Sequence, residues 1–113
     1  MAHPLEHAKN SARKFGGAAE DYLPIHEWFD ETSAHINDLR HRLLRHHSQG
    51  VAECIHRFGR MLTLANGRQV PVKQIAERHI VEDLGFVPAL SDWVRSLKLQ
   101  PWMMQPKRKR LVL

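Results

Sequence analysis

Apolar residues recur along this chain mostly at helical spacing, with one stretch of strand-like alternation. Leu5, Ala8, Ala12 and Phe15 stand three or four positions apart, the period of a buried helix face. Pro4 suits the first helical position, where its missing N–H would find no partner anyway, and Gly16-Gly17 ends the element. Residues 20–30, EDYLPIHEWFD, predict a second short helix whose Tyr22, Leu23, Ile25, Trp28 and Phe29 carry much of the core's bulk. Asp30, Thr32 and Ser33 are each competent N-caps for a central helix running through His47. On that helix Ile36, Leu39, Leu43, Val51, Cys54 and Phe58 share one arc with His47 and Gly50. The sequence predicts a kink, or another element approaching closely, near Gly50, and a stop at Phe58-Gly59.

The alternation follows at once. Met61 to Ala65, then Asn66-Gly67, then Arg68 to Val72 predicts a β-hairpin with a type I′ turn, and Pro71 confines its strand to a sheet edge because it cannot donate to a ladder. A helix from about Val72 to Leu84 turns Ile75, Ala76, His79, Ile80 and Leu84 inward and ends at Gly85. A last short helix, Ala89 to Leu97, carries Trp93 and Leu97. The expected fold is therefore α+β, mostly α: a compact helical domain with one two-stranded antiparallel hairpin between the central helix and the C-terminal helices. Residues 1–104 form the expected single globular domain, with Trp102 as an anchor near its end, and 105–113 a flexible basic tail.

Composition sharpens this only in places. With 113 residues, 42% hydrophobic and 26% charged, the chain suits one folded domain with a single core. No apolar run reaches the ~20 residues that cross a bilayer, and MAHPLEHAKNSARKFGG lacks the apolar core of a signal peptide, so the expectation is a cytoplasmic protein with no membrane partner. The formal charge of +5 is partly concentrated in Lys107-Arg108-Lys109-Arg110. Cys54 is the sole cysteine, so any metal must be held by imidazole and carboxylate. On the core arc it reads as an inert small hydrophobe, and Ser48 beside His47 is adjacency rather than a triad.

The candidate chemistry is dense between His35 and His47, HINDLRHRLLRHH, which holds four of the nine histidines. On a helix His35, Asp38, Arg42, His46, Gln49 and Glu53 would form a polar stripe along the apolar arc, with His41 toward solvent and His47 inward. His35 and His46 would stand about 16 Å apart, too far to share an ion. Asp38, one turn from both His35 and His41, is the natural centre, with His26 and Asp30 on the preceding helix and His3 and His7 on the first as further pairs. Where such pairs meet, the nitrogen and oxygen donors suit zinc, iron or manganese. No HExxH is present. The ordinary reading stands beside this one: His35 and His41 brace Asp38 in a polar lattice, while His47 and His79, the latter flanked by Glu77 and Glu82-Asp83, pack in the core. A different use of the same helix is contact with nucleic acid or an acidic protein through Arg40, Arg42, Arg45 and the tail residues Lys107, Arg108, Lys109 and Arg110. The edge strand leaves pairing with a second copy, a homo-oligomer, open.

HPLEHA, EDYLPIHEWFDETSAH, DLRHRLLRHHSQG, the Asn-Gly hairpin ending in VPV, IAERHIVEDLGFVP and LQPWM together resemble a family of small uncharacterised bacterial and phage proteins, a domain of unknown function. The resemblance spans nearly the whole chain. It departs at Ser33, where the family often has lysine, and in the basic tail after Met104. It implies a shared fold and brings no established activity.

Overall fold

The computed structural model describes residues 3–104. Helix α1, Pro4–Phe15, and helix α2, Ala19–Asp30, form an antiparallel pair joined at Gly16-Gly17. Both glycines have positive φ, 90° and 77°, which is why this turn needs them. Tyr22 Oη closes it by donating to the Gly16 carbonyl at 2.6 Å, and Asp21 accepts from the Ala18 and Ala65 N–H groups, tying the turn to the hairpin.

The expected central helix is the main correction. Residues between Asp30 and Ser48 form two short 3-10 segments, Glu31–Ala34 and Leu39–Leu44, and regular helix resumes only as α3, Ser48–Phe58. Asp38 accepts from the Arg40 N–H, and Thr32 Oγ1 bonds to His41 Nδ1, so polar side chains compete with the helical ladder. Burial decides the outcome: His41, His46 and His47 are all buried, and on an α-helix they would point more than 90° apart from one another, at about 100° per residue. Only an irregular path turns all three inward. Leu39, expected on the core arc, is accordingly exposed.

Strands β1, Met61–Thr63, and β2, Gln69–Pro71, pair antiparallel with Leu62 opposite Val70 and Met61 opposite Pro71. The turn is not type I′. Gly67 alone has positive φ, the Gly67 N–H donates to the Leu64 carbonyl, and the Leu64 N–H donates to the Arg68 carbonyl. That is a three-residue loop with a glycine bulge, which uses Asn-Gly with only one left-handed residue. Helix α4, Val72–Leu84, follows directly and ends at Gly85, as the sequence predicts; the last helix, α5, shrinks to Leu90–Val94.

The core is built where α4 packs on α1, α2 and α3: Ala8, Tyr22, Ile25, Phe29, Val51, Cys54, Val72, Ile75, Ala76 and Ile80 are buried together. Beyond α5 the chain leaves this core. Leu97, Leu99 and Trp102 are exposed, so Trp102, 58% accessible, is no buried anchor. The tail from 105 lies outside the described residues.

Candidate metal centre

Six of the nine histidines are buried, and four of these, His7, His26, His46 and His79, gather with Asp30 and Asp83 where α1, α2, α4 and the segment before α3 meet. Each arrives by a simple local rule. His26 and Asp30 are one turn apart on α2, as are His79 and Asp83 on α4, so each helix presents a stacked pair to the same interior. His7 faces them from α1. His46 is placed by the irregular segment: its carbonyl accepts from Trp93 Nε1 at 2.9 Å, and two residues on the Ser48 N–H donates to the Pro88 carbonyl at 2.8 Å.

The innermost group is Asp30, His46, His79 and Asp83, whose ligand atoms all lie within 4.8 Å of one another. His46 Nε2 is 3.0 Å from Asp83 Oδ2 and 3.8 Å from Asp30 Oδ1. His79 Nε2 is 3.3 Å from Asp83 Oδ2 and 3.4 Å from Asp30 Oδ1. Ligands about 2.1 Å from a tetrahedral ion stand about 3.4 Å from each other, so these four separations are close to what a tetrahedral site would require. His79 Nε2 is buried yet aligned for a hydrogen bond with neither carboxylate, which is what a lone pair aimed at a shared centre looks like.

The second nitrogen of His79 explains that orientation. His79 Nδ1 and His26 Nδ1 are 2.8 Å apart, and His26 Nε2 is 2.8 Å from Ser11 Oγ. If His79 Nδ1 carries the proton and donates to His26 Nδ1, then His26 carries its own proton on Nε2 and donates to Ser11. That sequence requires His26 to be neutral, and burial, with the nearby His79 and His7, pushes its pKa down to about 2. In that arrangement His79 Nε2 carries no proton, the form a ligand needs.

The charges support the same state. Burial would raise the pKa of Asp83, but the imidazoles of His46, His7 and His79 around it outweigh that effect and hold the carboxyl well below the usual range. Burial lowers that of His46 despite the Asp83 bond, so the imidazole is neutral near pH 7. His7 goes the other way: burial opposes its proton, but Asp83 and Glu82 prevail and raise its pKa. His7 Nδ1 meets Glu82 Oε1 at 2.7 Å and Nε2 lies 3.2 Å from Asp83 Oδ1, while Arg42 approaches the same Oδ1 at 3.5 Å. One carboxylate oxygen of Asp83 thus faces His7 and Arg42 and the other faces His46 and His79. A second trio, His7, His26 and His79, also converges within 4.8 Å, but the 2.8 Å contact between His26 and His79 makes it a hydrogen-bonded support.

Of the residues the sequence singles out, His7, His26 and Asp30 come together here and His35 and Asp38 do not. Asp38 is exposed and bound by Arg40, which lowers its pKa to about 2, and His35 is exposed. His41, expected toward solvent, is buried beside His46 with ring centroids 5.9 Å apart. His47, expected to pack inward, is buried, but as the N-cap of α3, its Nδ1 accepting from the Gly50 N–H. Among the arginines Arg40 pairs with Asp38, Arg42 with Asp83 and Arg45 with Glu31, while Lys107, Arg108, Lys109 and Arg110 lie outside the described residues. Sequence reasoning missed His46, His79 and Asp83 as partners. The signal present was HIVED, a His and an Asp four apart on the predicted helix from Val72 to Leu84, matching HEWFD on α2.

A family model described as a domain of unknown function (DUF6915) matches residues 2–103. No curated protein matches the chain, and no solved structure does.

Proposed function

We propose a function on the site alone, since the chain belongs to that family of unknown function and inherits no activity from it: the protein binds one divalent transition-metal ion through Asp30, His46, His79 and Asp83. The observation that carries this is the pair of His-Asp steps on α2 and α4, closed by His46, with inter-ligand distances of 3.0 to 3.8 Å around the unpartnered His79 Nε2. Two imidazoles and two carboxylates suit zinc, iron or manganese. An ordinary polar lattice accounts for the burial of the histidines but leaves His79 Nε2 without a bond. An ion satisfies it and offsets the negative charge of Asp30 and Asp83 in the interior.

Elemental analysis of protein purified without a histidine tag tests this. About one equivalent of metal per chain is expected, lost to a chelator with a fall in melting temperature and restored by zinc or manganese, because an ion that binds only the folded state adds its binding free energy to stability. Asp83→Asn is expected to keep the helical circular-dichroism spectrum and lose the metal. Metal below about a tenth of an equivalent, with no melting shift on adding excess zinc or manganese, would falsify the reading.

A further inference from the structure

The ligand set is closed on every side but one. The side chains of His46 and His79 have no solvent exposure and that of Asp83 has 3%, whereas Asp30 retains 18%. Asp30 is also the ligand that reaches a cavity of about 420 Å3, whose remaining wall is His3, Pro4, Glu27, Glu31, Ser33 and His41. Such a volume is in the range of small-molecule pockets and far above the ~30 Å3 of one water. His41 is fixed in the wall by the contact of its Nδ1 with Thr32 Oγ1 at 2.9 Å.

Resting on the metal reading, we infer that this cavity is the ion's ligand subsite, and that it takes a small uncharged or cationic molecule offering nitrogen or oxygen to the metal, in preference to an anion. Two observations point the same way. Asp30, the one ligand residue with appreciable exposure, lines both the cavity and the centre in which the fully buried His79 Nε2 lacks a partner, so the cavity is the side from which an ion held by these four residues would add a fifth ligand. The wall's charge supplies the selectivity. No lysine or arginine lines it, Glu31 is matched by Arg45 at 2.7 Å, and Glu27 makes no ion pair among the described residues. An exposed carboxylate on the cavity wall repels an incoming anion and leaves a neutral donor unaffected.

Cobalt-loaded protein provides the measurement, because the visible bands of cobalt(II) respond to a change of ligand. Imidazole is the neutral probe and azide the anionic one, each titrated into wild type and into Glu27→Gln, a change at an exposed position. Saturable spectral shifts with imidazole are expected, and Glu27→Gln should tighten azide about three- to tenfold while moving imidazole by less than about twofold. Protein that holds one cobalt per chain yet shows no response to high millimolar imidazole would overturn the subsite and leave a purely structural ion. Azide affinity unchanged by Glu27→Gln would overturn the charge selection. Failure to take up cobalt at all is a separate result: it overturns the metal reading itself, and the subsite with it.

Discussion

At the scale of a single residue, His79 concentrates the chemistry because its two ring nitrogens have opposite duties. Nδ1 must keep its proton for Nε2 to keep its lone pair, and His26, neutral and 2.8 Å away, is the acceptor that makes this arrangement favourable. His26→Leu removes the acceptor and leaves a buried N–H unpaired. We expect metal affinity, measured by competition with a chromophoric chelator, to fall about 10- to 100-fold, with His26→Gln, which can still accept, recovering much of the loss. Unchanged affinity in His26→Leu would show that something else orients His79. The same residue shows why sequence reasoning stopped short. A histidine on the inward face of a helix is usually packed, and His79 is packed, stacked on Phe29 with centroids 4.7 Å apart; only the position of its Nε2 distinguishes a ligand from filler.

At the scale of elements, the stretch from Glu31 to His47 is shaped by what it must deliver. Its composition is rich in helix formers, yet three buried histidines at positions 41, 46 and 47 demand directions that a 3.6-residue period cannot supply together. The return to regular helix at α3 is correspondingly tight. A Cβ on Gly50 would lie 1.7 Å from the Arg45 carbonyl oxygen, so the close approach that the sequence predicts near Gly50 is made by the chain's own preceding turn. At an exposed mid-helix site Gly→Ala stabilises by roughly 1 kcal/mol. Gly50→Ala should instead destabilise by about 3 kcal/mol or more, because a backbone atom, not a flexible side-chain tip, occupies the space. Urea unfolding measures it. A variant as stable as wild type would mean that the Arg45–Gly50 backbone shifts freely, and His46 would then not be held in place.

At the scale of the whole molecule, the buried titratable groups make the stability of the metal-free protein depend on pH from both sides. His26 and His46 have folded pKa values below their ordinary 6.5, so their contribution is complete above 6.5 and is lost as the pH falls below it. His7 is raised, so its contribution is complete below 6.5 and is lost as the pH rises through its folded value. Asp83, lowered, contributes above its ordinary 3.8 and loses that contribution in more acidic solution. Urea unfolding of chelator-treated protein should therefore show maximal stability near pH 6.5. Each titrating group changes stability by about 1.4 kcal/mol per pH unit, so the acid limb, with two histidines, should be the steeper. A flat profile from about pH 5 to about pH 8 would contradict the charge states assigned to the cluster. Much of the frame in which these groups sit was decided by sequence alone. Pro4, Gly16-Gly17, the Asn-Gly turn, Pro71 and Gly85 mark element boundaries through backbone rules that act over a few residues, and apolar periodicity assigned α1, α2 and α4. The pairing of His26 with Asp30 was likewise local, since four residues make one helical turn. What only the tertiary structure decided was that His79 and Asp83 complete that pair, that His46 rather than His35 or His41 joins them, and that Asp38 stays outside with Arg40. Those choices depend on α4 packing across α2 and on a segment abandoning its helical period to bury three imidazoles, contacts between residues more than thirty apart that no local spacing encodes.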